Sequence, residues 1–205
     1  MKVLLINGSP HKEGCTNRAL SEVAKELNEN GIDAEIAWIG TGAIHGCIAC
    51  GGCSKTGKCV FDDGVNDIAE KMAECDGLVV GTPVYYASPN GALLAMLDRL
   101  FGICPDLAHK PAAAVASARR GGTTASLDAI NKYFTIRQMP VVASTYWNMV
   151  HGSKPEDVEK DTEGLQTMRN IGKNMAWLIK CIKTGAENGI SIPTADSGER
   201  TNFIR

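Results

Sequence analysis

Lys2-Val3-Leu4-Leu5-Ile6-Asn7-Gly8-Ser9-Pro10-His11-Lys12-Glu13-Gly14-Cys15-Thr16-Asn17 passes from a wholly apolar run into a turn-rich, hydroxyl-bearing loop within sixteen residues. The apolar run shows no alternation, so as a strand it is buried on both faces, as in a parallel sheet covered by helices. Beyond the loop, Ala19, Leu20, Val23, Ala24 and Leu27 recur at helical spacing, and Asn30-Gly31 is a fitting stop. The loop therefore joins a buried strand to a helix start. The free amide N–H groups of such a start point into the loop and favour an anion.

The loop's composition narrows the anion. A triphosphate loop reads G-x-x-x-x-G-K-[ST], whereas Gly14-Cys15-Thr16 carries no lysine at that place; the dinucleotide pattern G-x-G-x-x-G is also missing. Ser9, Thr16 and Asn17 offer polar side chains, and Gly8 and Gly14 permit close backbone approach. Hydroxyls and amides together suit one terminal monophosphate, such as that of FMN. The plain alternative is a strand-to-helix turn with a good cap.

The same alternation continues outward. Ala34–Ile39 reads as a second strand, Thr41–Asp63 as irregular, Val65–Cys75 as a helix and Gly77–Gly81 as a third strand. Thr82–Gly91 reads as a loop, Ala92–Phe101 as a helix and Ala112–Ala118 as a fourth strand of small residues. Arg119–Thr123 reads as a loop, Ala125–Phe134 as a helix, Met139–Ser144 as a fifth strand and Asp157–Lys183 as long and mostly helical. This order predicts the α/β class: a flavodoxin-like, doubly wound, five-stranded parallel sheet in the order 2-1-3-4-5. A Cys-rich insertion follows strand two. One domain is expected over residues 1–184, with the cysteine loop at 45–62 and a tail at 185–205.

Composition sets outer limits. The 205 residues carry a formal net charge of −2, with 44% hydrophobic and 21% charged residues, which argues against disorder and against a polyanion-binding face. No nucleic-acid partner is expected. The apolar run at Met1–Ile6 is too short for a signal-peptide core or a membrane span, so the expectation is a cytoplasmic protein with no membrane association.

Two further loops suit a flat ring. In Thr82-Pro83-Val84-Tyr85-Tyr86-Ala87-Ser88-Pro89-Asn90-Gly91, prolines stiffen the backbone and two tyrosines can edge or stack on a planar ligand. In Ser117-Ala118-Arg119-Arg120-Gly121-Gly122-Thr123, amides can bond the polar edge of a pyrimidine-like ring, and an arginine can steady negative charge on a reduced flavin. The alternatives are tyrosines packed on helices or at a subunit boundary, and arginines on a solvated turn.

With both loops in view, Gly8-Ser9-Pro10, Gly14-Cys15-Thr16-Asn17 and Thr82-Pro83-Val84-Tyr85-Tyr86 resemble the NAD(P)H-dependent FMN reductases of the flavodoxin-like superfamily. The resemblance runs from strand one to about residue 150. It implies that Ser9, His11, Thr16 and Asn17 hold the phosphate. Pro83, Val84, Tyr85 and Tyr86 would line the ring, with Ser117, Arg119, Gly121 and Gly122 at its far edge. Cys15 stands where the family usually has a small polar residue, and a thiol is a poorer donor.

Four of the eight cysteines fall at Cys47, Cys50, Cys53 and Cys59, a C-x₂-C-x₂-C-x₅-C spacing with Gly46, Gly51, Gly52 and Gly57 beside them. Four thiolates can hold a [4Fe–4S] cluster. The ferredoxin run differs in having three residues before its last cysteine and then proline. Zinc and metal-free redox thiols are the alternatives. The spacing is similar to that of the iron–sulfur flavoproteins, a branch of the same superfamily; that resemblance implies electron relay between cluster and FMN, across a subunit boundary. Cys75, Cys104 and Cys181 read as core residues and His45 as a surface histidine.

Thr145-Tyr146-Trp147-Asn148-Met149-Val150-His151-Gly152 is aromatic-rich and suits either a flavin cap at an oligomer contact or a plug under the last helix. The leading expectation is an FMN-dependent oxidoreductase, with chemistry supplied by the flavin and no catalytic side chain assigned. NAD(P)H or a ferredoxin-like protein would be the donor, a small molecule the acceptor, and a homodimer or homotetramer the assembly. The second reading is a non-enzymatic electron carrier serving a ferredoxin-like partner. The third is a zinc-stabilised binding protein without flavin.

Overall fold

In the computed structural model, which describes residues 1–199 and 201, the opening run forms β1 (Lys2–Asn7), and the helix after the loop is α1 (Cys15–Glu29). The chain continues through β2 (Asp33–Trp38), α2 (Cys53–Thr56), α3 (Val65–Ala73), β3 (Gly77–Tyr85), β4 (Ser88–Pro89) and α4 (Gly91–Ile103). Then come β5 (Ala112–Ala118), α5 (Thr123–Ile136), β6 (Met149–His151), α6 (Pro155–Val158) and α7 (Thr162–Glu187). The parallel order is β2-β1-β3-β5-β6, with β4 folding back antiparallel on β3. This is the expected flavodoxin-like order.

Each central strand sends alternate side chains to opposite layers, because successive Cβ atoms point to opposite faces. Leu4 and Ile6 of β1, Leu78 and Val80 of β3, and Ala112, Ala114 and Ala116 of β5 meet α3, α4 and α5 on one side. Val3 and Leu5, Val79, and Ala113 and Val115 meet α1 and α7 on the other. The small side chains of β5 let the large residues of α5, notably Phe134, sit close to the sheet. Each fully buried Leu, Ile or Phe adds roughly 1.5–3 kcal/mol of transfer free energy.

Four expectations need correction. Met139–Ser144 is not a continuous strand: only Val141 bridges Ala112, and the ladder along the end of β5 is made by β6, which begins eight residues after Val141. The Ala112 amide donates to the Pro140 carbonyl (2.9 Å) and the Val142 amide to the Ala112 carbonyl (2.8 Å). The chain then leaves the sheet and returns where the Ala116 amide reaches the Asn148 carbonyl (3.0 Å). The excursion is held from α7, since Asn174 donates to the Ala143 carbonyl (2.7 Å) and Asn170 to the Thr145 hydroxyl (3.0 Å). It carries Tyr146 and Trp147, exposed and edge to face at 4.8 Å. Cys181, expected in the core, is exposed on the outer side of α7, while Cys75 and Cys104 are buried as expected. Burial pushes the Cys104 thiol up to about 11, as for an inert core thiol.

The loop expected at Thr82–Gly91 is partly a hairpin. Tyr85 pairs with Ser88 across Tyr86 and Ala87, whose φ angles are +50° and +59°. Both central residues are thus left-handed, as a two-residue hairpin matched to strand twist requires. The long final helix is broken at residues 159–161 between α6 and α7, and α7 extends to Glu187. Arg200 and residues 202–205 of the expected tail lie outside the described residues. No helix among the described residues is long and apolar enough to cross a membrane.

Candidate flavin and cysteine sites

The carboxyl ends of β1, β3 and β5 open on a cleft of about 780 Å³ at the point where the strand order reverses, between β1 and β3. Open α/β sheets bind ligands at this point, and the volume falls within the usual range for small-molecule sites. Ser9, His11, Cys15, Thr16, Pro83, Val84, Tyr85, Ser117 and Arg119 border the cleft. Asn17, Tyr86, Gly121 and Gly122 do not border it.

The first loop is held from within by one buried side chain. The Asn7 amide group donates to the Lys12 carbonyl (3.0 Å), and its oxygen accepts from the Ser9 amide (3.1 Å). Asn17 turns toward Asn7, with its side-chain oxygen 3.5 Å from the Asn7 nitrogen, so it braces the loop from behind. The Ser9 hydroxyl accepts from the His11 amide (3.1 Å), and Trp38 donates its indole N–H to the Ser9 carbonyl (2.7 Å). Gly8 must stay glycine for close approach: a Cβ there would lie 2.6 Å from Leu93 and 2.8 Å from the Gly81 carbonyl oxygen. The Asn90 side chain donates to the Gly8 carbonyl (2.7 Å) while capping α4.

α1 then begins with no side-chain cap at Gly14 and no acidic residue in its first turn. Its first amides are left for a ligand, and its dipole favours an anion. Thr16 and Ser117 are both buried with hydroxyl oxygens 2.8 Å apart, which joins the start of α1 to the end of β5. The Cys15 thiol is pushed above its ordinary value, chiefly by burial and further by Asp157 and Glu156, so it adds no negative charge. Lys12, Arg119 and Lys154 give the rim positive charge, against Glu13. Uncapped amides, two buried hydroxyls and a cationic rim suit one phosphate, and the adjoining proline–tyrosine wall suits a planar ring. The donor set therefore fits FMN. Asn7, Trp38, Asn90 and Lys154 went unassigned in the sequence. Asn7 and Asn90, each flanking a glycine at a strand–helix passage, carried a usable signal; Trp38 and Lys154 carried none.

On the far side of Gly122, the α5 start packs against the hairpin so closely that a Cβ would meet the Ala87 Cα at 2.7 Å. Gly122 also has φ +98°, a value side chains rarely adopt. Its part is to dock the hairpin that carries Tyr85 and the fully exposed Tyr86.

Cys47, Cys50, Cys53 and Cys59 border one small cavity of about 240 Å³, shared with Ile48, Val60, Phe61, Asp98 and Arg99. They do not converge: among the described residues no three His, Cys, Asp or Glu side chains are grouped to hold a metal ion. Cys47 and Cys50 are exposed, and the segment has no regular structure beyond the single turn of α2. Cys59 is the fixed member. Its amide donates to Asn66 (2.8 Å), its carbonyl accepts from Asn66 (3.0 Å), and its sulfur accepts from Arg99 Nε (3.1 Å). Burial raises the Cys59 thiol, but the Phe61 amide and Arg99 outweigh it and hold the thiol below its ordinary value. His45 stacks on Phe61 with ring centres 4.3 Å apart, so it serves as part of the loop's base. Four thiols around one largely apolar cavity are a donor set that fits an iron–sulfur cluster.

Sheet order, switch-point cleft and uncapped helix start define a flavodoxin-like protein. The profile of the NADPH-dependent FMN reductase family matches residues 1–154, and the chain belongs to that family, in its iron–sulfur flavoprotein branch. An iron–sulfur flavoprotein of Methanocaldococcus jannaschii is 35% identical over 192 residues, covering 89% of this chain and 100% of that one. An iron–sulfur flavoprotein of Methanosarcina thermophila is 29% identical over 188 residues, covering 89% and 97%. Among solved structures, an archaeal flavodoxin superposes with a TM-score of 0.60 at 14% identity, covering 88% of this chain and 99% of that one; it shares the fold.

Proposed function

We propose that this chain is an FMN-dependent oxidoreductase that takes electrons from NAD(P)H or a ferredoxin-like protein and delivers them to a small-molecule acceptor. The observation that carries the reading is the uncapped start of α1, facing the switch-point cleft beside the buried Ser9 and Thr16 hydroxyls. Bound FMN would supply hydride acceptance and one-electron transfer. Ser9, Thr16 and the first amides of α1 bind its phosphate; Pro83, Val84 and Tyr85 form the wall against its ring. Arg119 brings positive charge to the far edge, where negative charge on a reduced ring is steadied. Family membership and the switch-point cleft support this reading.

Cys47, Cys50, Cys53 and Cys59 would hold a [4Fe–4S] cluster. The four thiols around one cavity and the iron–sulfur flavoprotein relatives support that part. Strong coordinate bonds draw scattered ligands together, so an open loop is no obstacle. The chain would work in the cytoplasm as a homodimer or homotetramer.

The test is anaerobic purification, followed by chromatography of the released pigment, iron and zinc analysis, and NAD(P)H oxidation with and without an added acceptor. FMN with iron is the expected result. Colourless protein that stays colourless with excess FMN removes the proposal, and zinc in place of iron removes its cluster part alone.

A further inference from the structure

Arg99 lies on α4, its side chain almost wholly buried, in a place the flavin site does not use. A guanidinium has five N–H donors in a fixed fork, and each has an acceptor here. Nη1 meets Asp63 Oδ2 (2.6 Å) and the His45 carbonyl (3.0 Å); Nη2 meets Asp63 Oδ1 (2.8 Å) and the Phe61 carbonyl (3.5 Å). Nε meets the Cys59 sulfur at 3.1 Å. The guanidinium also lies 5.2 Å from the centre of the Phe61 ring. Asp63 in turn accepts from the His45 amide (3.0 Å).

One side chain thus ties the chain entering the cysteine loop, at His45, to the chain leaving it, at Phe61 and Asp63. Asp63 balances its charge through the two Nη atoms, which leaves the Nε–H to the sulfur. A neutral thiol is a weak acceptor, whereas a cluster-bound thiolate carries negative charge and accepts strongly. Groups of this kind orient ligands and tune the metal centre behind them.

We propose that Arg99 is the positioning residue of the cysteine site: it holds the two ends of the loop and donates a hydrogen bond to the Cys59 ligand sulfur, which secures the cluster and raises its reduction potential. The inference rests on the iron–sulfur reading above. Hydrogen bonds to cluster sulfurs favour the more negative, reduced state.

The experiment compares anaerobically purified wild type, Arg99→Gln and Arg99→Lys, each with its cofactors bound. Three quantities are read: FMN content with the melting transition, survival of iron against a chelator, and the cluster midpoint potential followed by electron paramagnetic resonance. In Arg99→Gln the FMN and a cooperative melt remain, cluster lifetime falls about tenfold or more, and the midpoint moves to lower potential. Arg99→Lys keeps a cation beside Asp63 and recovers part of both changes. An Arg99→Gln protein with wild-type lifetime and midpoint overturns the proposal while leaving the cluster reading intact. Loss of FMN and of the melt in both variants also overturns it, because Arg99 would then be holding the fold. A wild type without iron fails the cluster reading, and this inference falls with it.

Discussion

The loop after β1 and the cysteine loop are both glycine-rich, yet they are built in opposite ways. The first is finished before any ligand arrives: Asn7 is buried, Ser9, Lys12 and Asn17 are tied to it, and α1 starts uncapped at the place an anion would sit. The second is fixed only at its base, by Arg99, Asp63 and Asn66, while Cys47 and Cys50 stand in solvent. The strength of the bonds each loop offers accounts for the contrast. An anion held by amides and hydroxyls gains only modest net energy per contact, so the donors must already be aimed. Thiolate ligands form strong coordinate bonds, and ordering the loop is a small cost beside them.

The contrast can be broken most directly at Cys53. Replacing it with alanine should remove all cluster iron and leave FMN content unchanged, as read by iron analysis and the flavin spectrum. Joint loss of both would mean that the two loops form one structural unit. Next in size is Gly8→Ala. The added methyl meets Leu93 and the Gly81 carbonyl, so stability should fall by about 1–3 kcal/mol, with FMN binding falling more than iron content. A denaturant titration and a flavin titration check the pair. An iron loss of equal size would show that the cleft is not a separate preformed site.

Thr16→Ala is subtler. Losing one hydroxyl contact of about 0.5–1.5 kcal/mol should weaken FMN by roughly two- to thirteenfold, and freeing the buried Ser117 hydroxyl should lower folding stability by about 1–3 kcal/mol. Unchanged affinity would remove Thr16 from the cradle. The smallest effect concerns pH at the base of the cysteine loop. Arg99 holds the Asp63 carboxyl below its ordinary value of 3.8 against the opposing effect of burial. A depressed carboxylate stabilises the folded state fully above its unfolded value, and that contribution is lost as pH falls through the folded value. Protection of the His45 amide, corrected for intrinsic exchange, should therefore stay flat from neutral pH to about pH 4 and drop below that. A drop beginning near pH 6, where histidines titrate, would assign the anchoring to a histidine.

The strand–loop–helix passage at Lys2–Asn17, the parallel alternation and the presence of a four-cysteine loop were legible in the amino-acid order alone, because each is a local pattern; what the four thiols hold was left open between iron–sulfur, zinc and no metal. Unbroken apolar runs demand cover on both faces, and a helix start after a glycine turn exposes its amides wherever it occurs. The fifth strand was misread because Met139–Ser144 and Met149–His151 are both short and strand-like, and only pairing with β5 and the pull of α7 on the intervening loop chooses between them. Local order did not disclose that the Asn17 side-chain oxygen lies 3.5 Å from the Asn7 nitrogen, or that Gly122 packs against Ala87 of the hairpin. Arg99 gave no signal at all: it sits in an ordinary apolar helix, and its importance comes from Asp63 and Cys59, 36 and 40 residues away in the chain. Contacts between distant segments depend on how helices and loops pack over the sheet, and no local pattern encodes them.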